Sequence, residues 1–340
     1  MKCYTVDGTG LDSLRLAERP NPGDPGPGDV LVDVRAVSLN YRDLMVADGR
    51  YSGKQDPPII ACADMAGTVA KAGPGVTEFK GGDRILNAPF RFWPGGALRP
   101  EWARTFGGGA GVDGVLAEQI IYPAVSLVKV PDHFTSFAEG STLTIAGLTA
   151  WAAVVTHGKT APGEWVLAHG TGGVSIFAAQ IAKKIGANVI LSTSSEEKAK
   201  FVREKFGVDA TINYRDSDWP KQVRKIAGGK GADVVVEVAG GASFPNSIQA
   251  CAMNGRIALI GVLAGAECQV NVLHIFMRQV TVRGILMESA DELRKLARAL
   301  QAWNVHPHID RIFPFGQARQ AYDHLQSQRH IGKVVIEVGS

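Results

Sequence analysis

Val166-Leu-Ala-His-Gly-Thr-Gly-Gly-Val-Ser175 is a short apolar run that closes in Gly170, Gly172 and Gly173 and then opens an apolar stripe at helical spacing, Ser175 to Ile185. Glycines there permit a tight turn and close approach of the backbone to a ligand, and the free N–H groups that start a helix attract an anion. Strand, glycine turn and helix in that order predict a site for a dinucleotide pyrophosphate. Ser175 stands where the third glycine of GxGxxG falls. The motif alone is therefore weak, and its context has to carry the reading.

Working outward, that context is consistent. After Val166 to Ala168 come further short apolar runs at Val189 to Leu191, Ala210 to Ile212, Val234 to Val238, Ile257 to Val262 and Val280 to Ile285, separated by helical stretches. Alternating strand and helix predicts a doubly wound parallel sheet, an α/β cofactor domain of Rossmann type. The stretch Ser194 to Phe206 reads as a helix opened by a capping box, Ser194 with Glu197.

An acid at the end of the second strand would bind the ribose 2′-OH of NADH. Here the run is Leu191-Ser-Thr-Ser-Ser-Glu-Glu-Lys198. Hydroxyls replace that acid and Lys198 follows, a set suited to a 2′-phosphate, so NADPH is favoured over NADH. The same serines would also serve as helix caps, and Glu196 would still reach an NADH ribose.

The first third differs in grammar. Val30 to Val37, Met65 to Ala72 and Val115 to Ile121 are β-type runs between Gly and Pro clusters, predicting a mainly antiparallel β domain. From about Asp291 the tail reads as helix, Pro-containing loop, helix and a last strand, Lys333 to Val338, able to return to that first domain.

At 340 residues and 45% hydrophobic, the chain is long enough for two cores, since single cores stop growing near roughly 250–300 residues. Its 36 basic and 33 acidic side chains are interspersed, net +3, which favours neither nucleic acid nor an anionic membrane. A small-molecule partner fits better. Cys3, Cys62, Cys251 and Cys268 form no disulfide framework and no CxxC pair, which points to a reducing, cytoplasmic setting. No leader pattern and no apolar run of roughly 18–20 residues is present, so neither secretion nor a membrane span is expected.

A further set of stretches completes the picture: Val37-Ser-Leu-Asn-Tyr-Arg-Asp43, Ala63-Asp-Met-Ala-Gly-Thr-Val69 with Gly73-Pro-Gly-Val76, Gly81-Gly-Asp-Arg84, Leu148-Thr-Ala-Trp151, Ile212-Asn-Tyr214 and His330-Ile-Gly-Lys-Val-Val335. Together with the glycine turn they resemble the medium-chain dehydrogenase/reductase superfamily, in its zinc-free quinone oxidoreductase-like branch, over essentially the whole chain. The resemblance implies a GroES-like, mainly β catalytic domain of residues 1–127 and 287–340, and a Rossmann domain of residues 128–286. Zinc-dependent relatives hold their metal with a Cys, a His and a Cys or Asp at positions that look like Asn40, Ala63 and Ile145 here. None of these replacements is a good zinc ligand. Cys62 and Asp64 leave a rearranged site as the alternative. Without a Lewis acid, reduction of a quinone or enone is favoured over oxidation of a saturated alcohol.

The resemblance further implies that NADPH delivers hydride to an electron-poor carbon while a hydroxyl or water supplies the proton. By motif match, Asn40 and Thr149 serve the nicotinamide and ribose, Thr171, Gly172, Gly173 and Val174 the pyrophosphate, and Ser194, Lys198 and Tyr214 the adenosine phosphate. Lys333 is a further cofactor-side candidate. Tyr41 is the candidate proton donor, alongside Asn40 at the catalytic centre, although Tyr41 and Tyr51 would equally wall an apolar pocket. A lens zeta-crystallin-like protein that keeps NADPH without turnover is the non-enzymatic alternative. A twofold homodimer paired through Gln279 to Ile285 follows from the same resemblance.

Three other features carry less. Phe90, Phe92, Trp93 and Trp102 flank a Gly- and Pro-rich stretch readable as a mobile lid or as ordinary packing. His306-Pro-His308 lacks a third metal ligand and reads as structural. His157-Gly-Lys-Thr160 lacks the first glycine of a P-loop, Ala153 standing in its place, and no GxSxG elbow is present.

Overall fold

A computed structural model describes residues 1–339. The chain packs as two compact units, Met1–Leu148 with Ser289–Ser340, and Thr149–Glu288.

The first unit is built on a sheet ordered Ile309–Pro314, Lys333–Glu337, Asp29–Leu39, Asp64–Ala72, Arg84–Asn87 and Leu127–Lys129, with Gln119–Pro123 pairing Asp29–Leu39 off that path. All its pairings are antiparallel except that of Ile309–Pro314 with Lys333–Glu337. Asp29–Leu39 alternates as a half-buried strand should: Val30, Val32 and Val34 turn into the core while Leu31, Asp33 and Arg35 are partly exposed. From Ala36 onward both faces are covered. The last strand lies beside that covered end, Val334 opposite Leu39. This pairing brings Lys333 alongside Asn40, where the strand turns into the helix Tyr41–Ala47.

The expected strand Val115 to Ile121 is divided between two sheets. Leu116 and Glu118 bond to Tyr4 and Lys2 of the strand Lys2–Val6, whereas Gln119–Pro123 joins Asp29–Leu39. Of the four aromatics read as a possible lid, Phe90 and Trp93 are buried, and Phe90 packs against both Trp93 and Phe106 with ring centres 5.4 and 4.9 Å away. Packing outweighs mobility for that pair. His306 Nδ1 donates to Glu139 Oε1 at 2.6 Å and the ring lies against His133, a packing role.

The second unit is a six-stranded sheet in the order Ala210–Ile212, Asn188–Ser192, Trp165–His169, Ala232–Glu237, Cys251–Leu259, Thr281–Gly284. Every pairing is parallel. Leu167, Ile190, Val235 and Ile257 anchor its core. The chain runs outward from Trp165–His169 in one direction and then crosses to its other side with Ala232–Glu237. That reversal is a topological switch point, where open α/β sheets bind ligands at the carboxyl ends of their strands. No helix among the described residues is long and apolar enough to cross a membrane.

Candidate active site

The glycine turn sits at this switch point, between Trp165–His169 and the helix Gly173–Ile185. Gly170 has φ +78°, a left-handed conformation that side chains other than glycine's resist. Gly172 is different. Its backbone is extended, φ −77° and ψ 179°, and a Cβ built there would meet nothing within 4 Å. Nothing in the protein's own packing demands glycine at 172, and no side chain caps the helix that follows. The open ground above Gly172 and the uncapped N–H groups of Gly173 and Val174 suit a pyrophosphate. Ser175, in the third-glycine position, is buried and donates to the carbonyl of His169 at 2.6 Å, so its hydroxyl stitches helix to strand.

Beneath the turn lies a polar chain that sequence reading missed. Ser192 Oγ accepts from the Gly170 N–H at 3.1 Å and lies 3.1 Å from His169 Nδ1. His169 Nε2 meets Ser247 Oγ at 2.8 Å, and Ser247 donates to Glu237. Glu237 in turn accepts from the N–H groups of Ala239 and Gly240 at 2.8 and 3.0 Å. Burial pushes the His169 pKa down while Glu237 pulls it up. Three strand ends are tied together here, which fixes the loops of the switch point. A histidine and a glutamate each ending an apolar strand was the available signal.

At the second strand's end the capping box expected for Ser194 and Glu197 is not formed. Ser195 caps the helix Glu196–Phe206, accepting from the Lys198 N–H at 3.2 Å. Adjacent serines are chemically equivalent, and the chain direction entering the helix selects the second. Ser194 is thereby released to share a 2.9 Å hydrogen bond with the Tyr214 hydroxyl. Glu196 turns to Arg203, 2.9 Å away. Thr149 Oγ1 is buried with no hydrogen-bond partner among the described residues, and Thr171 is buried beside the turn.

In the first unit, Asn40, Asp64 and Lys333 meet. Asn40 Nδ2 donates to Asp64 Oδ2 at 2.8 Å, and Ser38 Oγ donates to the same oxygen at 3.0 Å. Lys333 Nζ donates to the Leu39 carbonyl at 2.6 Å and to Asn40 Oδ1 at 2.7 Å, with Asp64 Oδ2 3.7 Å away. The Lys333 side chain is only 3% exposed. Burial pushes the Lys333 ammonium down, countered by Asp64, and pushes the Asp64 carboxyl up, countered by Lys333. Asp43, which accepts from the Asn40 N–H at 2.7 Å, is pushed up by burial to about 6, with Arg42 opposing. Tyr41 is half-buried, its hydroxyl accepting from Arg50 at 3.3 Å. Tyr51 faces Phe106 and lies under the Arg42 guanidinium.

These residues do not fit zinc. Ala63 and Ile145 offer no donor, Asn40 is engaged at both ends of its amide, and the carboxylate of Asp64 already faces an ammonium. The rearranged site is not assembled either, because the Cys62 thiol lies against the Tyr322 hydroxyl at 3.2 Å, with burial pushing its pKa well up. Among the described residues no three His, Cys, Asp or Glu side chains group to hold a metal.

A GroES-like β unit and a Rossmann-type unit in one chain define a medium-chain dehydrogenase or reductase. Comparison with known proteins agrees. Residues 26–132 match the alcohol dehydrogenase GroES-like domain family and residues 173–302 the zinc-binding dehydrogenase family. A zinc-type alcohol dehydrogenase-like protein of Schizosaccharomyces pombe is 36% identical over 97% of this chain and 96% of its own. A 2-haloacrylate reductase of Burkholderia is 29% identical, covering 94% and 93%, and a quinone oxidoreductase of Rattus norvegicus 28%, covering 96% and 94%. Among solved structures, an NAD-dependent alcohol dehydrogenase superposes with TM-score 0.89 at 34% identity over all of both chains. A mycobacterial protein complexed with NADPH superposes with TM-score 0.82 at 26% identity, covering 99% of each. The chain belongs to the medium-chain dehydrogenase/reductase superfamily of oxidoreductases, in its quinone oxidoreductase-like branch.

Proposed function

We propose that the protein is a zinc-independent, NADPH-dependent reductase that adds hydride to a quinone, an enone or a similarly activated carbonyl compound. The observation that carries this reading is the Asn40–Asp64–Lys333 cluster. Where metal-dependent relatives would activate an alcohol through a Lewis acid, this chain has an amide, a carboxylate and a buried ammonium. Such a set cannot lower the pKa of a saturated alcohol as a metal does, but it can supply hydrogen bonds to an oxygen that gains charge.

For the cofactor, Thr171, Gly172, Gly173 and Val174 would hold the pyrophosphate, and Thr149, with its unpartnered buried hydroxyl, a nicotinamide-ribose group. Ser194, Tyr214 and Lys198 would receive a 2′-phosphate, a preference supported by the Ser194–Tyr214 hydroxyl pair and by the engagement of Glu196 with Arg203. Bound NADPH supplies the hydride. Asn40 would orient the substrate oxygen, and Tyr41, whose hydroxyl oxygen accepts from Arg50, is the candidate proton source. We place the protein in the cytoplasm and propose a homodimer paired through the edge strand Thr281–Gly284, all four residues of which are exposed.

The test is a titration of metal-analysed protein with NADPH and with NADH, followed by turnover with a panel of quinones and enones before and after dialysis against a chelator. Preferential NADPH binding and chelator-insensitive turnover are expected. Preference for NADH would overturn the cofactor assignment, stoichiometric zinc would overturn the mechanism, and binding without turnover across the panel would overturn the substrate class.

A further inference from the structure

The residue whose chemistry is least explained by the fold is Lys333. It opens the last strand, its ammonium is buried, and its hydrogen bonds go to Leu39 O and Asn40 Oδ1 rather than to solvent. A buried ammonium costs stability unless something compensates, and a methionine of similar length would pack there more cheaply. What the ammonium does that methionine would not is address one end of an amide.

The side-chain amide of Asn40 has two faces, an oxygen that only accepts and a nitrogen that only donates. Lysine has three donors and no acceptor, and an ionised carboxylate has only acceptors. With Lys333 Nζ 2.7 Å from one end and Asp64 Oδ2 2.8 Å from the other, only one orientation satisfies both. A flipped amide would set NH2 against the ammonium and a carbonyl against the carboxylate. One Nδ2 hydrogen goes to Asp64; the second has no acceptor among the described residues, and Asn40 is partly exposed. The ammonium on the amide oxygen also draws electron density from the nitrogen, which strengthens that remaining N–H as a donor.

We propose that Lys333 is a positioning residue, holding and polarising Asn40 so that its free N–H is a preset donor to the substrate oxygen on which charge develops. This rests on the reductase reading above. When hydride reaches the β-carbon of an enone, the C=C electron pair shifts toward the carbonyl and the oxygen becomes an enolate; a proton later taken up at the α-carbon completes the reduction. Donors fixed before that charge appears stabilise it without reorganising. Lys333 acts through Asn40 and touches neither substrate nor cofactor.

Three variants test this: Lys333→Met, Lys333→Arg, and Lys333→Met combined with Asp64→Asn, which leaves no lone buried carboxylate and so guards against misfolding. Kinetics and NADPH affinity are read together with the 15N-asparagine side-chain resonance of Asn40, assigned with Asn40→Gln. We expect Lys333→Met to lower kcat about 10- to 100-fold, less than the roughly 10²–10³-fold cost of removing a preorganised donor outright because Asn40 keeps its N–H, with NADPH Kd within about twofold if Lys333 makes no direct contact with the cofactor. Lys333→Arg should recover part of kcat, and the Asn40 NH2 signals should move on loss of the ammonium in both methionine variants. A parallel loss of NADPH affinity, making Lys333 a direct cofactor ligand, would overturn the proposal. So would unchanged kcat, or Asn40 signals that ignore the substitution. If the wild-type protein reduces nothing on the panel, the reductase reading fails by itself; the amide resonance then still decides whether Lys333 sets Asn40.

Discussion

Gly172→Ala separates what the glycine turn does for the fold from what it does for a ligand. Gly172 has extended backbone angles open to any residue, and an added Cβ meets nothing within 4 Å. Alanine lowers the unfolded-chain entropy, worth about 0.4–1 kcal/mol in favour of the fold. It is a poorer N-cap than glycine by roughly 0.5–1 kcal/mol. The two offset, so stability should stay within about 0.5 kcal/mol, a melting shift of no more than about 2 °C. A bound pyrophosphate would meet the methyl where the backbone should be. Losing even one charge-assisted hydrogen bond costs about 1.5–3 kcal/mol, and each 1.4 kcal/mol is about tenfold in affinity. NADPH Kd, measured by fluorescence titration, should therefore rise about tenfold or more. Gly170→Ala is the contrast: at φ +78° it should cost about 1–2 kcal/mol in the fold itself. Wild-type NADPH affinity in Gly172→Ala, or a stability loss equal to that of Gly170→Ala, would refute the reasoning.

Three further outcomes are expected. Ser194→Ala and Tyr214→Phe should each weaken NADPH by about 1 kcal/mol, roughly fivefold, and leave NADH binding unchanged; equal losses for both cofactors would remove these hydroxyls from the 2′-phosphate. The folded pKa of Asp43, about 6 against an ordinary 3.8, means the native state binds this proton more tightly than the unfolded chain. The buried charge therefore burdens the fold above pH 6, and the burden is relieved as pH falls toward 4, on the order of 3 kcal/mol at most. Urea melts of Asp43→Asn across that range should lose this slope, and an unaltered slope would assign it to another group. Val282→Lys, placing a charge on the exposed edge strand Thr281–Gly284, should turn the proposed dimer into monomer by sedimentation velocity; a wild-type monomer at micromolar concentration would dispose of the dimer outright.

The cofactor fold was legible because its signals are local. Strand length, apolar runs and the glycine turn all lie within a few residues, and the parallel order follows from their alternation with helices. What was not legible depends on partners far away. The run Val115 to Ile121 looks like one strand, yet its first half bonds to Lys2–Val6 and its second to Asp29–Leu39. Nothing in the run itself marks where it leaves one sheet for the other. Ser194 and Ser195 are equally good caps by composition, and only the entry angle of the chain chooses between them.

The same distinction explains the reading of Lys333. By sequence, Lys333 opens the apolar final strand and, through the family resemblance, is a cofactor-side candidate. Its partner Asn40 is 293 residues away in sequence, and the two become neighbours only because Val334 pairs with Leu39 across the sheet. Once they are adjacent, elementary hydrogen-bond chemistry does the rest: a group that can only donate must face the amide oxygen, and a group that can only accept must face the amide nitrogen. The sequence contains both halves of that lock, Asn40 with Asp64 near one end and Lys333 near the other. Sheet topology is what makes them one device, and a metal ion has no place in it while the ammonium is there.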